Sequence, residues 1–311
     1  MNAGTRLERV VAAGHFALTV EIGPPRGANP ESVLKKAALL KGLADGYNVT
    51  DNQTAVVRMS SIASAKILLD AGLEPVMQMT CRDRNRIAIQ SDLLGASAFG
   101  IKNCLCLSGD HQKASAAGKL KGHPGAKNVF DIDSVQLLAV LKGLRDEAVQ
   151  EGGDSVDQAV PFFIGAAWTP LSPPLEFRVH RLAKKAAAGA DFIQTQAVYD
   201  IAAFARQVAK AREMGLTDRV AVLGGVIVPR SAKMLQYMNQ SVPGVTVPDQ
   251  IVKRMADAPS PKQEGIRIAV ELIQAMREIK GLKGVHLQAI EAEEILPEII
   301  KAAGLSPRPS V

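Results

Sequence analysis

Apolar and polar positions along this chain form two alternating patterns: short apolar runs, and longer stretches with a helical period. The short runs predict strands at Phe16–Glu21, Tyr47–Thr50, Pro75–Thr80, Asn103–Leu107, Phe162–Ala167, Phe192–Gln196, Val220–Val226 and Val285–Gln288. Between them, apolar residues recur at i, i+3 and i+4. This period predicts helices at Glu31–Leu43, Arg58–Ala71, Ile87–Leu94, Val135–Val149, Leu175–Ala188, Ala202–Met214 and Lys262–Glu278.

Eight strands that alternate with helices are typical of an α/β protein with a (β/α)8 TIM-barrel fold. We expect residues 1–311 to form one such domain, with a short extended N-terminal segment and a frayed tail from Ser306 onwards. A doubly wound open sheet is the alternative. It is disfavoured because no Gly-x-Gly-x-x-Gly turn follows any predicted strand.

Polar side chains stand at the C-terminal ends of the predicted strands. The first strand ends at Glu21, and Gly23, Pro24 and Pro25 then stop it. The ends of other strands carry Thr50, Gln78, Ser108, Asp110, Trp168 and Gln196. In a parallel barrel these ends form the ligand-binding face. Because buried polar groups without partners cost free energy, a polar ligand explains this clustering better than packing does.

Structural roles are the alternatives for the two acids. Glu21 could pair with a lysine or with Arg26, and Asp110 could cap the loop that it begins. That loop, residues 108–128, is long and rich in glycine, lysine and histidine, and it follows the fourth strand. We expect it to cover a cofactor, and residues 150–159 to form a surface connection.

Composition narrows the class of protein. No apolar run is long enough to cross a membrane and no signal peptide begins the chain, so we expect a cytoplasmic protein without membrane contact. The net charge is +6, but aromatic residues make up 4% and no basic block occurs, which argues against nucleic acid. A small anionic ligand suits such a charge.

Metal and nucleophilic chemistry find little support in the sequence. The five histidines are scattered, and no Gly-x-Ser-x-Gly turn occurs. Cys81, Cys104 and Cys106 are too few for a disulfide framework, so we expect buried, inert thiols. The remaining polar set of Glu21, Asp110 and Gln196 suits proton donation and hydrogen bonding to a heterocycle.

Four segments in order resemble the methylenetetrahydrofolate reductase family: Glu21-Ile-Gly-Pro-Pro-Arg, Met79-Thr80-Cys81-Arg82-Asp83, Leu107-Ser108-Gly109-Asp110 and residues 188–196, Ala-Gly-Ala-Asp-Phe-Ile-Gln-Thr-Gln. The resemblance extends over about residues 14–304. It implies a (β/α)8 barrel with FAD at its C-terminal face and reduction of 5,10-methylenetetrahydrofolate to 5-methyltetrahydrofolate.

The resemblance also implies roles for individual residues. Glu21 matches the general acid that assists opening of the folate's imidazolidine ring, Asp110 matches the acid between flavin and pterin, and Gln196 matches an amide that contacts folate. The positions expected to contact the flavin are Thr50, Gln78, Ser108, Gly109, Asp110, Phe130, Trp168, Lys184 and Lys185. The two lysines suit the pyrophosphate of FAD.

The chain departs from the family pattern at several of these positions. Gln78 replaces the usual flavin-binding histidine, Ser108 replaces the arginine of an Arg-Gly-Asp motif, and Ile22-Gly23 replaces two phenylalanines. Residues 289–292 lack the usual Asn-Arg, and Ala232 stands where a stacking phenylalanine is usual. Glu21, Asp110 and Gln196 are kept. The changes therefore bear on which molecule donates electrons to the flavin more than on the chemistry at the folate.

Our hypothesis is therefore that an electron-donating partner subunit, rather than NADH, reduces the flavin, and we expect a homo- or hetero-oligomer. Two alternatives remain open. One is a flavin-independent reductase that takes hydride directly from NAD(P)H, and the other is a non-catalytic or methyl-transferring folate-binding subunit of a larger complex. The sequence leaves the pathway open between methionine synthesis and acetyl-CoA one-carbon metabolism.

Overall fold

The computed structural model describes residues 2–112 and 122–311. Eight parallel strands in these residues pair in sequence order and close into a barrel, with β1 against β8. The strands are β1 Ala17–Ile22, β2 Gly46–Val49, β3 Pro75–Thr80, β4 Asn103–Leu107, β5 Phe163–Trp168, β6 Phe192–Ala197, β7 Ala221–Ile227 and β8 Leu282–Gln288. The (β/α)8 barrel expected from the sequence is confirmed, and the open sheet is excluded.

Helices precede, separate and follow the strands. They are α1 Arg6–Ala12, α2 Glu31–Leu40, α3 Ser61–Asp70, α4 Arg86–Ala98, α5 Ser134–Lys142, α6 Glu176–Ala187, α7 Ile201–Glu213, α8 Leu216–Arg219, α9 Ala232–Ser241, α10 Asp249–Asp257, α11 Pro261–Arg277 and α12 Leu296–Ala302. The main core lies between these helices and the outer face of the barrel. No helix in the described ranges is both long and apolar enough to cross a membrane.

The N-terminal segment differs from the prediction, because it forms the helix α1 instead of an extended strand-like segment. Thr5 caps this helix by accepting a hydrogen bond from the backbone N–H of Glu8 at 3.2 Å. Leu7 and Val10 are fully buried among the side chains that fill the barrel interior. Helix α1 therefore closes the N-terminal end of the barrel, opposite the strand ends that carry the polar residues.

Two aromatic side chains pack among aliphatic ones in the barrel interior, in the cluster that also contains Leu7 and Val10 of α1. The rings of Phe163 and Phe192 stack with their centroids 5.0 Å apart. Gly165 makes room for this pair, since a Cβ atom added there would lie 2.2 Å from the Phe192 ring. Substitution of Gly165 would force the Phe192 ring out of its place, which a close-packed interior tolerates poorly.

The C-terminal tail also differs from the prediction, because it is anchored and not frayed. The Arg308 guanidinium binds the carboxylate of Asp45, with Nε 3.2 Å from Oδ1, and donates to the backbone carbonyl of Phe16 at 2.8 Å. Arg6 lies 3.2 Å from the same Asp45 carboxylate, whose side chain is fully buried. A buried carboxylate requires such cations, and this requirement holds residues 305–309 against the barrel.

The two predicted loops have different outcomes. Residues 150–159 form a mostly exposed connection before β5, with an antiparallel bridge between Val149 and Ser155. The loop over residues 108–128 includes positions 113–121, which lie outside the described residues, so its role as a cover stays a prediction. The predicted burial of the three thiols is confirmed. Burial raises the pKa of Cys81 to about 12 and also raises that of Cys106.

Candidate functional site

A cavity of about 420 Å³ opens among the C-terminal ends of the strands. Its volume lies within the range of small-molecule sites, roughly 300–1,000 Å³. The structure brings most of the residues singled out in the sequence onto its wall: Glu21, Thr50, Gln78, Ser108, Gly109, Asp110, Trp168, Lys185 and Gln196. Residues far apart in the chain thus meet around one space, as expected for the catalytic face of a barrel.

Phe130 and Lys184 are not among the described residues that line this cavity. Phe130 is partly exposed, adopts a left-handed backbone conformation with φ of 44°, and stacks on His111 at 6.3 Å between ring centroids. Lys184 is exposed on α6. Their expected contacts with a flavin stay predictions, and the cavity itself favours Lys185 over Lys184.

Glu21 lies at the cavity wall with only 11% of its side chain exposed. Its Oε2 is 3.9 Å from Nε2 of His286, which β8 contributes from the other end of the chain. The second ring nitrogen of His286, Nδ1, is hydrogen-bonded to the Thr19 hydroxyl at 2.9 Å. This bond orients the imidazole towards the acid. The Arg26 alternative for Glu21 finds no support, since no ion pair between them appears among the described residues.

The Thr19 hydroxyl belongs to a larger buried network inside the barrel. Gln194 donates to the Thr19 hydroxyl at 2.9 Å and to the side-chain oxygen of Asn48 at 3.0 Å. Asn48 in turn donates to the side-chain oxygen of Gln194 at 2.7 Å. Each of these polar groups is buried, and each has a partner, as buried polar groups require. The network therefore holds the Thr19 hydroxyl in place, and this hydroxyl orients His286 beside Glu21.

Gly109 and Arg82 set the position of Asp110 at the mouth. Gly109 has φ of +87°, and a Cβ atom there would lie 3.0 Å from the Cβ of Arg82, so the turn requires glycine. The buried Arg82 guanidinium donates to the backbone carbonyl of Asp110 at 3.3 Å and to that of Asn52 at 3.0 Å. Arg82 thus ties the loops after β2, β3 and β4 together, and leaves the exposed Asp110 side chain at the cavity rim.

Thr50 and Asp51 follow β2 at the cavity wall but differ in their partners. Asp51 is committed to structure, because its Oδ2 accepts hydrogen bonds from the backbone N–H of Thr80 at 2.9 Å and from Arg84 at 2.7 Å. The hydroxyl of Thr50 is buried and has no hydrogen-bond partner in the described part of the chain. An unsatisfied buried hydroxyl at a cavity wall indicates a ligand contact.

Gln196 reaches the cavity at an irregularity in the sheet. The pairing of β6 with β7 shifts register between Gln194 and Ala197. The Thr195 hydroxyl fills the gap by accepting a hydrogen bond from the Gly225 N–H at 2.8 Å. The Gln196 carboxamide oxygen accepts from the backbone N–H of Ala197 at 3.0 Å. Such bulges commonly re-aim side chains beside active sites.

Helix α6 places a cationic cluster, defined as Arg178, Arg181 and Lys185, on the cavity wall. The Lys185 ammonium donates to the Ala167 carbonyl, and Arg178 donates to the carbonyls of Ser172 and Pro173. None of the three forms an ion pair with a carboxylate among the residues that the structure describes. Burial, with the nearby charge of Arg181, lowers the pKa of Lys185 to about 8. The cluster is suited to an anion such as a phosphate.

The sequence reasoning missed several of these residues. Arg178 and Arg181 share a helix face with Lys185 at spacings of three and four, so the helical period alone could have found them. His286 carried no local signal, because its partner Glu21 is contributed by a strand at the opposite end of the chain. Arg82 stood within a recognised segment, but its burial under two neighbouring loops depends on tertiary structure.

Comparison with known proteins agrees with this geometry. Residues 6–304 match the family model described as Methylenetetrahydrofolate reductase. A Caenorhabditis elegans protein named probable methylenetetrahydrofolate reductase (NADPH) is 25% identical over an aligned length of 319 residues, gaps included. The alignment covers 96% of this chain and 44% of that protein. Methylenetetrahydrofolate reductase 1 of Schizosaccharomyces pombe is 26% identical over 247 residues, which cover 77% of this chain and 37% of that protein. The chain spans less than half the length of these curated relatives.

A solved structure shows the same fold. It is an uncharacterized protein from Clostridium thermocellum, described as binding two copies of 5-methyl-5,6,7,8-tetrahydrofolic acid. The TM-score is 0.65 at 14% sequence identity, and the match covers 96% of this chain and 98% of that one.

Proposed function

Because this chain belongs to the methylenetetrahydrofolate reductase family, we propose that it reduces 5,10-methylenetetrahydrofolate to 5-methyltetrahydrofolate at the cavity described above. The observation that carries the proposal is that Glu21, Asp110 and Gln196 line one cavity at the mouth of the barrel. The binding of 5-methyltetrahydrofolate by the Clostridium thermocellum protein of the same fold also supports a reduced folate as the ligand.

Glu21 is the general acid of the proposed reaction. It donates its proton to N10 of the folate as the bond between N10 and the methylene carbon breaks, which leaves an iminium at N5. Hydride addition to the methylene carbon then gives the methyl group, so the substrate gains one proton and one hydride in total. Positioned proton donors of this kind contribute roughly 10²–10⁴-fold to a rate.

His286 and Thr19 position Glu21 for this step. The Thr19 hydroxyl fixes the His286 ring, and the ring in turn lies 3.9 Å from the Glu21 carboxyl. Glu21 thereby has a defined place at the wall, which proton transfer to one nitrogen requires. Asp110 and Gln196 supply polar groups at the rim and the wall for hydrogen bonds to the pterin ring.

The residues present fit a flavin. Thr50 offers a buried hydroxyl without a partner in the described chain, and Gly109 has a bare Cα at the cavity wall. Trp168 is fixed in the wall by the hydrogen bond from its Nε1 to the carbonyl of Arg178 at 2.8 Å. The cationic cluster on α6 suits the pyrophosphate of FAD. A bound reduced flavin would supply the hydride.

A partner protein is the proposed source of electrons. Large apolar side chains are exposed in the segments that follow four consecutive strands, β2 to β5, either in loops or in the first turns of α4 and α6. They are Val57, Ile87, Val129, Phe130, Leu175 and Phe177, and Ile87 is 74% exposed. Where exposed apolar side chains group together on a surface, they mark interaction sites, and this possibility is what supports a protein partner. Reduction of the flavin by NADH or NADPH in stopped flow, at a rate that matches turnover, would contradict this part of the proposal.

The experiment that tests the function begins with the visible spectrum of the purified protein, which we expect to show bound flavin. The protein is then mixed anaerobically with 5,10-methylenetetrahydrofolate and a chemical reductant of flavins, and 5-methyltetrahydrofolate is quantified. A colourless protein that oxidises NAD(P)H with the folate would favour the flavin-independent reductase. A protein that binds folate but forms no product would favour the non-catalytic subunit.

A further inference from the structure

A second, smaller cavity of about 170 Å³ adjoins the main one. We call it the annex, and its walls include Glu21, Gln53, Ser32, Lys36, Arg58 and Glu293. Glu21 and Gln53 line both cavities, so a molecule in contact with Glu21 can extend from one into the other. The annex is smaller than typical independent ligand sites, roughly 300–1,000 Å³. It therefore suits one end of a ligand that is seated mainly in the larger cavity.

Two wall residues of the annex hold buried polar atoms that lack a partner. The Ser32 hydroxyl and Nε of Arg58 make no hydrogen bond to any residue that the structure describes. The rest of Arg58 is held in place, because Nη1 donates to the Pro24 carbonyl at 3.1 Å and its backbone N–H donates to Asn52 Oδ1 at 3.0 Å. These two donors are thus left for a ligand, because a buried donor that makes no hydrogen bond lowers the stability of the protein.

The annex wall carries two cations, Lys36 and Arg58, and three carboxylates, Glu21, Glu291 and Glu293. Lys36 is already neutralised by Glu293, with Nζ 2.5 Å from Oε1. Glu291, a further wall residue, is exposed to solvent. Of the two cations, Arg58 forms no ion pair with a carboxylate within the described ranges, and it lines the same small cavity as the Ser32 hydroxyl. A ligand carboxylate is an acceptor that suits a guanidinium and a hydroxyl donor, and its bond to the guanidinium has the strength of a charge-assisted hydrogen bond.

We propose that the annex binds a carboxylate of the glutamyl tail of the reduced folate, with Arg58 Nε and the Ser32 hydroxyl as donors. This inference rests on the proposed function. A folate whose N10 contacts Glu21 has its pterin ring on one side of that contact and its aminobenzoyl-glutamate tail on the other. Because Glu21 lines both cavities, the pterin occupies the main cavity while the tail extends into the annex.

The sharpest test is Ser32→Ala. The Ser32 hydroxyl has no hydrogen-bond partner in the described chain, so its removal breaks no hydrogen bond within the protein, and the melting temperature should stay unchanged or rise. We expect the affinity for 5-methyltetrahydrofolate monoglutamate to fall about tenfold, while the affinity for 6-methyltetrahydropterin, which lacks the tail, stays unchanged. Ser64→Ala is the matched control, since it removes another buried, unpartnered hydroxyl away from the annex.

Arg58→Gln gives a second measurement. We expect about a hundredfold loss of 5-methyltetrahydrofolate affinity, again with no loss for the pterin, and Arg26→Gln at an exposed arginine of the same region should change neither. Equal losses for folate and pterin, or no loss in either variant, would overturn the inference and leave the proposed function standing. A wild-type protein that binds no folate at all would instead overturn the proposed function.

Discussion

Nε2 of His286 lies 3.9 Å from Oε2 of Glu21, and this approach exists because the barrel closes between its first and last strands. Thr19 lies directly opposite His286 in the pairing of β1 with β8, and its hydroxyl holds Nδ1 of the imidazole. The acid, the histidine and the threonine therefore depend on one register. A shift of that register by one residue would turn their side chains to the other face of the sheet.

Glu21→Gln should abolish folate reduction and leave the flavin bound. The amide has nearly the shape of the acid but cannot donate the proton, so we expect product formation to fall by about 10²–10⁴-fold. Quantified 5-methyltetrahydrofolate and the visible spectrum measure the two properties. Glu213→Gln, at an exposed carboxylate on α7, is the control. Wild-type turnover by the Glu21 variant would remove this residue from the mechanism.

His286→Gln should lower the rate of folate reduction by about tenfold, since the oriented neighbour of Glu21 is lost. The dissociation constant for 5-methyltetrahydrofolate should change little, because His286 lies beneath the acid and not at the cavity wall. Rate and affinity are measured separately, with His180→Gln at an exposed position on α6 as the control. An equal loss of affinity and rate would indicate that His286 only maintains the fold.

Gln194→Leu should destabilise the protein by about 3 kcal/mol, because it leaves the buried Asn48 carboxamide without its hydrogen-bond partner and removes one of the two partners of the Thr19 hydroxyl. Urea unfolding measures this free energy. Gln196→Leu, two residues further along the same strand, should cost much less stability and should weaken folate binding instead. Similar unfolding free energies for the two variants would contradict the assignment of Gln194 to a structural network.

Binding of an anionic ligand at the cationic cluster should weaken as pH rises through about 8, because the lowered pKa of Lys185 removes its positive charge there. Folding has the opposite sign: between about 8 and 10.5 the unfolded lysine holds a proton that the folded one lacks, so the unliganded protein gains stability as pH rises. Flavin affinity measured against pH checks the first effect. Lys185→Arg should flatten the profile, whereas Lys184→Met should leave it as in the wild type.

Arg308→Met should destabilise the protein by about 3 kcal/mol, since it removes a cation from the fully buried Asp45 carboxylate. Arg6 remains as a second cation and limits the loss. Chemical unfolding is the measurement, and Lys301→Met at an exposed position on α12 is the control. A truncation that removes Arg308 and the residues after it should also lower the free energy of unfolding. An unchanged free energy would contradict the anchoring of the tail.

Local patterns were sufficient for much of the fold. Strands β3 and β4 have the predicted bounds, because each is a short apolar run with clear stops. The polar residues at strand ends could be placed in one cavity because parallel strands bring their carboxyl ends to one face. The first helix was missed although Leu7, Val10 and Val11 have the i, i+3, i+4 spacing, because the pattern covers only the seven residues Arg6–Ala12 and does not repeat.

Other features depended on contacts that no local pattern contains. His286 approaches Glu21 only through barrel closure, and Arg308 is held only because Asp45 is buried. The distinction between Lys184 and Lys185 was within reach, however. Val179 and Leu182 form the buried face of α6, and Lys185 continues that face three residues after Leu182, whereas Lys184 does not.

The joint contact of Arg6 and Arg308 with Asp45 has a practical consequence for handling the protein. Asp45 directly precedes β2, so both ends of the described chain emerge at the closed end of the barrel, away from the cavity. A tether attached at either terminus would therefore present the open mouth to the surrounding solution. Immobilisation on a surface by one end should preserve access for the proposed folate ligand and for the proposed electron donor.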